Sequence, residues 1–103
     1  MIDIDKFEGF EWDERNVFKN WKSHKVTYYE AEETFYNTPL FTAEDTQHST
    51  EREQRFFCMG KTNNERKLHI IFTVRNNRIR IISARDMSKK ERKFYYEKIK
   101  ENT

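Results

Sequence analysis

Three successive runs in the second half of the chain, 55–61, 67–75 and 78–85, are rich in β-forming residues, and apolar and polar positions alternate in the last two. A period of two is that of a β-strand, whose side chains point in turn to its two sides. In the middle run Leu68, Ile70, Phe72 and Val74 share one side, and Lys67, His69, Ile71, Thr73 and Arg75 the other. In the last, Ile79 and Ile81 alternate with Arg78 and Arg80. Each strand thus offers an apolar side to helices and a more polar, Arg-bearing side. Asn76-Asn77 separates the last two runs, a two-residue hairpin turn of residues that tolerate positive φ. Residues 62–66 separate the first two, and the three strands read as an antiparallel meander.

Upstream the period lengthens. Asp13 is placed to cap a helix running to about Ser23, with Val17, Phe18 and Trp21 as its apolar stripe. Thr27 followed by Glu30 is a capping box, opening a second helix over 28–36 on which Tyr28, Ala31 and Phe35 share a face. Asn37-Thr38-Pro39 ends it. Residues 7–12 alternate enough for a short strand, and 40–43 for another before a polar loop. Ser88 and Glu91 form a second capping box, for a helix to about Lys100 with Phe94, Tyr95 and Ile99 facing in. The whole reads as one α+β domain over 1–103, an antiparallel sheet packed by two N-terminal helices and one C-terminal helix.

Composition sharpens this picture. With two Leu and three Val against eight Ile, nine Phe, five Tyr and two Trp, aromatic rings must carry much of the core. Cys58 is the only cysteine, so no internal disulfide is possible, and its place in Phe56-Phe57-Cys58-Met59 suits a buried, inert thiol. No apolar run approaches the ~20 residues of a membrane span, and the acidic N-terminus is the reverse of a signal peptide, so a cytoplasmic address is expected. The net charge of +2 hides a division: residues 1–60 carry seven Lys/Arg against thirteen Asp/Glu, residues 61–103 thirteen against five. A basic half suits a phosphate polymer or an acidic partner, or is simply a solvated surface.

The densest candidate chemistry is Arg75, Arg78, Arg80 and Arg85 on paired strands. Guanidinium binds phosphate oxygens bidentately, and such an array could hold a nucleic-acid backbone or stabilise a phosphoryl-transfer transition state; an ordinary exposed hairpin is the plainer alternative. His24 lies between Lys22 and Lys25, cations that favour a neutral, proton-accepting imidazole. His48 falls in the polar loop and His69 in the middle strand; no His or Cys spacing suits zinc. With only Gly9 and Gly60 there is no phosphate-cradling loop. Glu51 and Glu53 could act as acid and base, but their charged loop reads better as solvated surface.

These residues also form an ordered pattern. Phe10-Glu11-Trp12-Asp13, Asn20, His24-Lys25-Val26 and Glu30-Ala31 are followed by Asp45, His48-Ser49, Arg55-Phe56, Gly60 and Phe72-Thr73, then Arg80-Ile81-Ile82-Ser83-Ala84-Arg85 and Glu91-Arg92 with Tyr95. Over about residues 10–97 this resembles the BrnT family of ribonuclease toxins from type II toxin–antitoxin pairs. The run 80–85, followed by a basic helix, carries most of the specificity. The chain departs from the family in having Ser23 for a Lys and Lys25 for a Gly.

The resemblance implies a RelE-like fold and an endoribonuclease that needs neither metal nor cofactor and inhibits translation and growth. In it the RNA 2′-OH attacks the adjacent phosphate. His24 would be base or positioning group, Arg80 and Arg85 phosphate ligands, and Ser83 would orient one of them or the substrate. Arg55 is a further candidate ligand, and Lys22, Lys25, Arg75 and Arg78 complete the expected RNA-binding set. The implied partners are the RNA substrate and a BrnA-like antitoxin, through which alone the complex would meet operator DNA. Two other classes fit the same residues: a non-catalytic nucleic-acid-binding module, and a subunit whose polar sheet face docks a partner.

Overall fold

Asn76 and Asn77 adopt φ of 54° and 60°, the left-handed geometry whose twist suits a two-residue hairpin. In the computed structural model, which describes residues 3–101, that turn joins β4 (Lys67–Arg75) to β5 (Arg78–Asp86). Across β4 from β5 lies β3 (Arg55–Lys61), and outside it β2 (Phe41–Glu44); all three pairings are antiparallel. The far edge differs from expectation. β1 is only Phe10–Glu11 and runs parallel to β5, so the five-stranded sheet, ordered β1-β5-β4-β3-β2, is mixed. β1 and β5 are separated along the chain by α1, α2 and three strands, so no tight turn imposes opposite directions on them.

The helices begin where the capping residues place them. Asp13 accepts from the Arg15 N–H at 2.8 Å to start α1 (Glu14–His24). Thr27 and Glu30 exchange both capping-box bonds at the start of α2 (Tyr28–Tyr36). Ser88 and Glu91 do the same, at 3.2 and 2.8 Å, for α3 (Lys89–Glu101).

The apolar stripe expected on α1 is overturned. Phe18 is 63 % exposed and Trp21 49 %, and the buried residue of the helix is Asn20. Beyond the two residues of β1, β5 has an open edge, and α1 packs along it; Asn20 Oδ1 accepts from the Ala84 N–H there at 3.3 Å. A polar side chain is therefore the right one to bury, because it serves an unpaired ladder donor. Phe18 and Trp21 lie instead under the ammonium groups of Lys22 and Lys25, 5.7 and 5.1 Å from their ring centres.

Val26, Ala31 and Phe35 fill the principal core with Cys58, Leu68, Ile70, Phe72, Ile79, Ile81 and Ala84 from the sheet. Tyr28 and Val74, expected on apolar faces, are half exposed and more than a third exposed. Gly60 lets α2 close on β3: a Cβ there would stand 2.8 Å from Thr34 Cγ2 and 2.9 Å from Leu40 Cδ1. Burial leaves Cys58 free and pushes its thiol pKa well up. α3 lies on the other side of the sheet, where Tyr95 and Ile99 pack with Phe41, Phe57 and Met59. The helices thus cover both faces, with the second only partly covered.

Arg66, beside the 62–65 turn, ties these layers together. It donates to Glu30 and Asp86 and to the carbonyls of His24 and Lys25, joining the end of α1 and the start of α2 to β5. Asp86 is held below the usual carboxylate range by its hydrogen bonds from Arg66.

Candidate nucleic-acid interface

A single extra residue in β5 decides which side chains share the open face. Ile71 pairs with Ser83 but the next residue, Phe72, pairs with Ile81, so Ile82 is a bulge with no partner on β4. Strict alternation would put Ser83 and Arg85 on the side opposite Arg78 and Arg80. The bulge restores them to the same side, as the β4 partners show: Thr73 for Arg80, Ile71 for Ser83 and His69 for Arg85. It equally keeps Ile79, Ile81 and Ala84 together in the core.

The pairing sets out this face as rows across the sheet. One row is Glu11, Arg80, Thr73 and Arg55, continued past the end of β2 by Asp45, whose N–H donates to the Arg55 carbonyl at 2.8 Å. With neighbouring strands about 4.8 Å apart, Arg80 and Arg55 are rooted about 10 Å from each other. The next row is Ser83, Ile71, Phe57 and Ala43; beyond it lie Arg85, His69, Met59 and Phe41, towards α3. On the other flank Arg75 and Arg78 pair beside the hairpin turn.

The arginines stand among carboxylates that charge counting along the sequence kept apart. Arg80 donates to Glu11 at 2.9 Å and to the α1 cap Asp13 at 3.1 Å. Arg55 Nε donates to Glu53 at 2.8 Å, and Arg75 approaches Glu53 at 3.5 Å and Glu11 at 4.0 Å. Arg85 holds Glu91 of α3 through two bonds. Arg78 is exposed and has no carboxylate partner among the described residues. The acidic members come from β1, the α1 cap, the β2–β3 loop and α3; their only sequence signal is that Glu11, Asp13 and Glu91 belong to the pattern that the Arg residues also carry.

Ser83 is half-buried in the middle row. His69 is stacked flat on Phe57 at 5.4 Å and lies 3.7 Å from Glu91; burial lowers its pKa, against the pull of that carboxylate. His24 is not brought into this group. It ends α1, with Asp86 as a charged neighbour, and Asp86 pairs with Leu68 on the α1/α2 side of the sheet. Lys22 and Lys25 lie with it, over the exposed rings of α1. Lys25 has φ 55°, the left-handed position that closes a helix and that glycine prefers. Among the described residues, no three His, Cys, Asp or Glu side chains form a group that could hold a metal ion, and no helix is long and apolar enough to cross a membrane.

The fold is thus a small α+β domain whose bulged, Arg-bearing strand faces a half-open sheet surface. The family model described as "Ribonuclease toxin, BrnT, of type II toxin-antitoxin system" matches residues 12–91, and the chain belongs to that family. The crystal structure of the Brucella abortus ribonuclease toxin BrnT has the same fold, with a TM-score of 0.58 and 22 % identity over 79 % of this chain and 97 % of that one. No curated protein sequence matches the chain.

Proposed function

We propose that this chain is a metal-independent endoribonuclease toxin, neutralised by a BrnA-like antitoxin encoded with it, and that the face carrying Arg80, Ser83 and Arg85 is its RNA site. The observation that carries this reading is the bulge at Ile82. It gives up a ladder position to place Ser83 and Arg85 on the same side as Arg80, Arg55, Arg75 and Arg78. A guanidinium held by a carboxylate is fixed in position but keeps further donors: Arg55 spends its Nε–H on Glu53, and a guanidinium has four more N–H groups. A scissile phosphate bound by such groups is stabilised most when its charge grows in the transition state.

On this reading the arginines of the face supply the positive charge at the phosphate that a metal ion would otherwise bring. Cytoplasmic action, with growth arrest through loss of translatable RNA, follows from the same reading. The test is to incubate the purified chain with RNA with and without EDTA, and to express it without the antitoxin. Cleavage that survives the chelator, with growth arrest, is expected. Loss of cleavage in EDTA overturns the metal-free mechanism; tight RNA binding without cleavage returns the site to a binding module.

A further inference from the structure

The β2–β3 loop is polar, yet one hydroxyl fixes its shape. Ser49 Oγ donates to the Asp45 carbonyl at 2.7 Å and accepts from the Arg55 N–H at 2.9 Å, and it also lies 3.2 Å from the Arg55 carbonyl. The Ser49 N–H donates to the Asp45 carbonyl as well, at 3.1 Å. Inside the turn so closed, Asp45 Oδ2 meets His48 Nδ1 at 2.7 Å. The Asp45 side chain is 13 % exposed and that of His48 53 %. A carboxylate on Nδ1 selects the tautomer in which Nε2, on the far edge of the ring, is the proton acceptor.

This pair stands at the end of an Arg row. Asp45 continues the line of Arg80, Thr73 and Arg55, next to Arg55. The nearby charges of the loop, Glu53 and Arg55, pair with each other at 2.8 Å. His24 has no such setting, for it lies beside Asp86 towards the opposite side of the sheet.

On the ribonuclease reading above, we infer that His48 is the general base of RNA cleavage, with Asp45 and Ser49 as its positioning residues and Arg55 as the adjacent phosphate ligand. His48 Nε2 takes the proton of the ribose 2′-OH. The 2′-oxygen forms a bond to the neighbouring phosphorus as the bond from phosphorus to the 5′-oxygen breaks. The 5′-oxygen leaves with a proton from water, and the imidazolium returns its proton to solvent. The products are a 2′,3′-cyclic phosphate and a 5′-hydroxyl.

The test uses the purified full chain and two short single-stranded RNAs, one carrying a 2′-deoxy sugar at the cleaved position. Rates are measured from about pH 5 to 9 for the wild type, His48→Ala, His48→Gln and Asp45→Asn, with circular dichroism to confirm each fold. General-base loss should lower kcat about 10²–10⁴-fold in both His48 variants with KM little changed, and alter the shape of the pH–rate profile. Asp45→Asn should lower kcat less than the His48 variants do, with KM little changed. The deoxy RNA should stay intact. Folded His48 variants that cut at near the wild-type rate with its pH profile overturn the assignment while leaving the ribonuclease reading in place. A wild-type chain that cuts no RNA overturns both.

Discussion

Arg85 grips Glu91 with two parallel hydrogen bonds, Nη1 to Oε1 at 2.7 Å and Nη2 to Oε2 at 2.9 Å. The pair ties the last residues of β5 to the first turn of α3, and Glu91 also accepts the Ser88 N–H at 2.8 Å. One carboxylate therefore caps a helix and orients the guanidinium proposed to meet RNA.

That double duty has a pH signature. The Arg85 bonds, helped by the Ser88 N–H, hold the Glu91 pKa down to about 2, from an ordinary 4.5. A depressed carboxylate stabilises the fold above its unfolded pKa, and the contribution is lost as pH falls through the folded value. Wild-type stability should therefore decline between about pH 4.5 and 2, partly because of this group. Glu91→Gln should cost about 1–2 kcal/mol at neutral pH, discounted for the partial exposure of Arg85. Its loss of stability across the acid window should be shallower. Thermal melts at neutral pH and near pH 3 check both statements; equal slopes would mean the pair contributes nothing.

Arg80 is more deeply set than an exposed strand residue. Its side chain is 18 % exposed and binds both Glu11 and Asp13. Arg80→Ala should lower cleavage about 10²–10³-fold. It should also cost about 1–3 kcal/mol, because two carboxylates lose their partner beside the α1 cap. Arg80→Lys separates the two effects. A point charge should return much of the stability and little of the rate, since it lacks the planar fork. Recovery of both together would make the role of Arg80 structural.

What the sequence disclosed depended on how local each signal was. Asn76-Asn77, Thr27 with Glu30, and Ser88 with Glu91 set boundaries within a few residues, and the structure keeps them. The α1 stripe misled because burial of that helix is set by the edge of β5, some sixty residues away, where Ala84 needs Asn20. The bulge at Ile82 was equally hidden, since Arg80-Ile81-Ile82-Ser83 alternates plausibly in either register. The Arg residues could be found by spacing, but not the carboxylates that hold them, because Glu11 and Glu91 reach β5 from opposite ends of the chain.

Lys25 occupies a site that the fold would rather give to glycine. At φ 55° its Cβ crowds the following carbonyl, which costs a non-glycine residue about 1–2 kcal/mol. The cation held 5.1 Å from the Trp21 ring returns about 0.5–1 kcal/mol of that. Lys25→Gly should leave the protein only slightly more stable, by no more than about 0.5 kcal/mol, since glycine's unfolded-state entropy offsets most of the relief. A rise of a few degrees in Tm would agree. A fall would show that the Lys25 contact with Trp21 outweighs the backbone strain.

The antitoxin should compete with RNA for the Arg face. Every arginine there except Arg78 already holds a carboxylate of its own chain, so this surface accepts carboxylates in the geometry proposed for phosphate. An acidic antitoxin segment would replace those internal partners in turn, and its capture should be fast at low salt and slower as screening rises. Titrating the toxin with antitoxin at increasing RNA concentration should raise the apparent inhibition constant in proportion to RNA. Arg78→Glu, at the exposed rim, should slow association while changing the free toxin's stability by no more than about 0.5 kcal/mol. Inhibition indifferent to RNA concentration would place the antitoxin on another surface, and full RNase activity in a formed complex would remove the competitive model altogether.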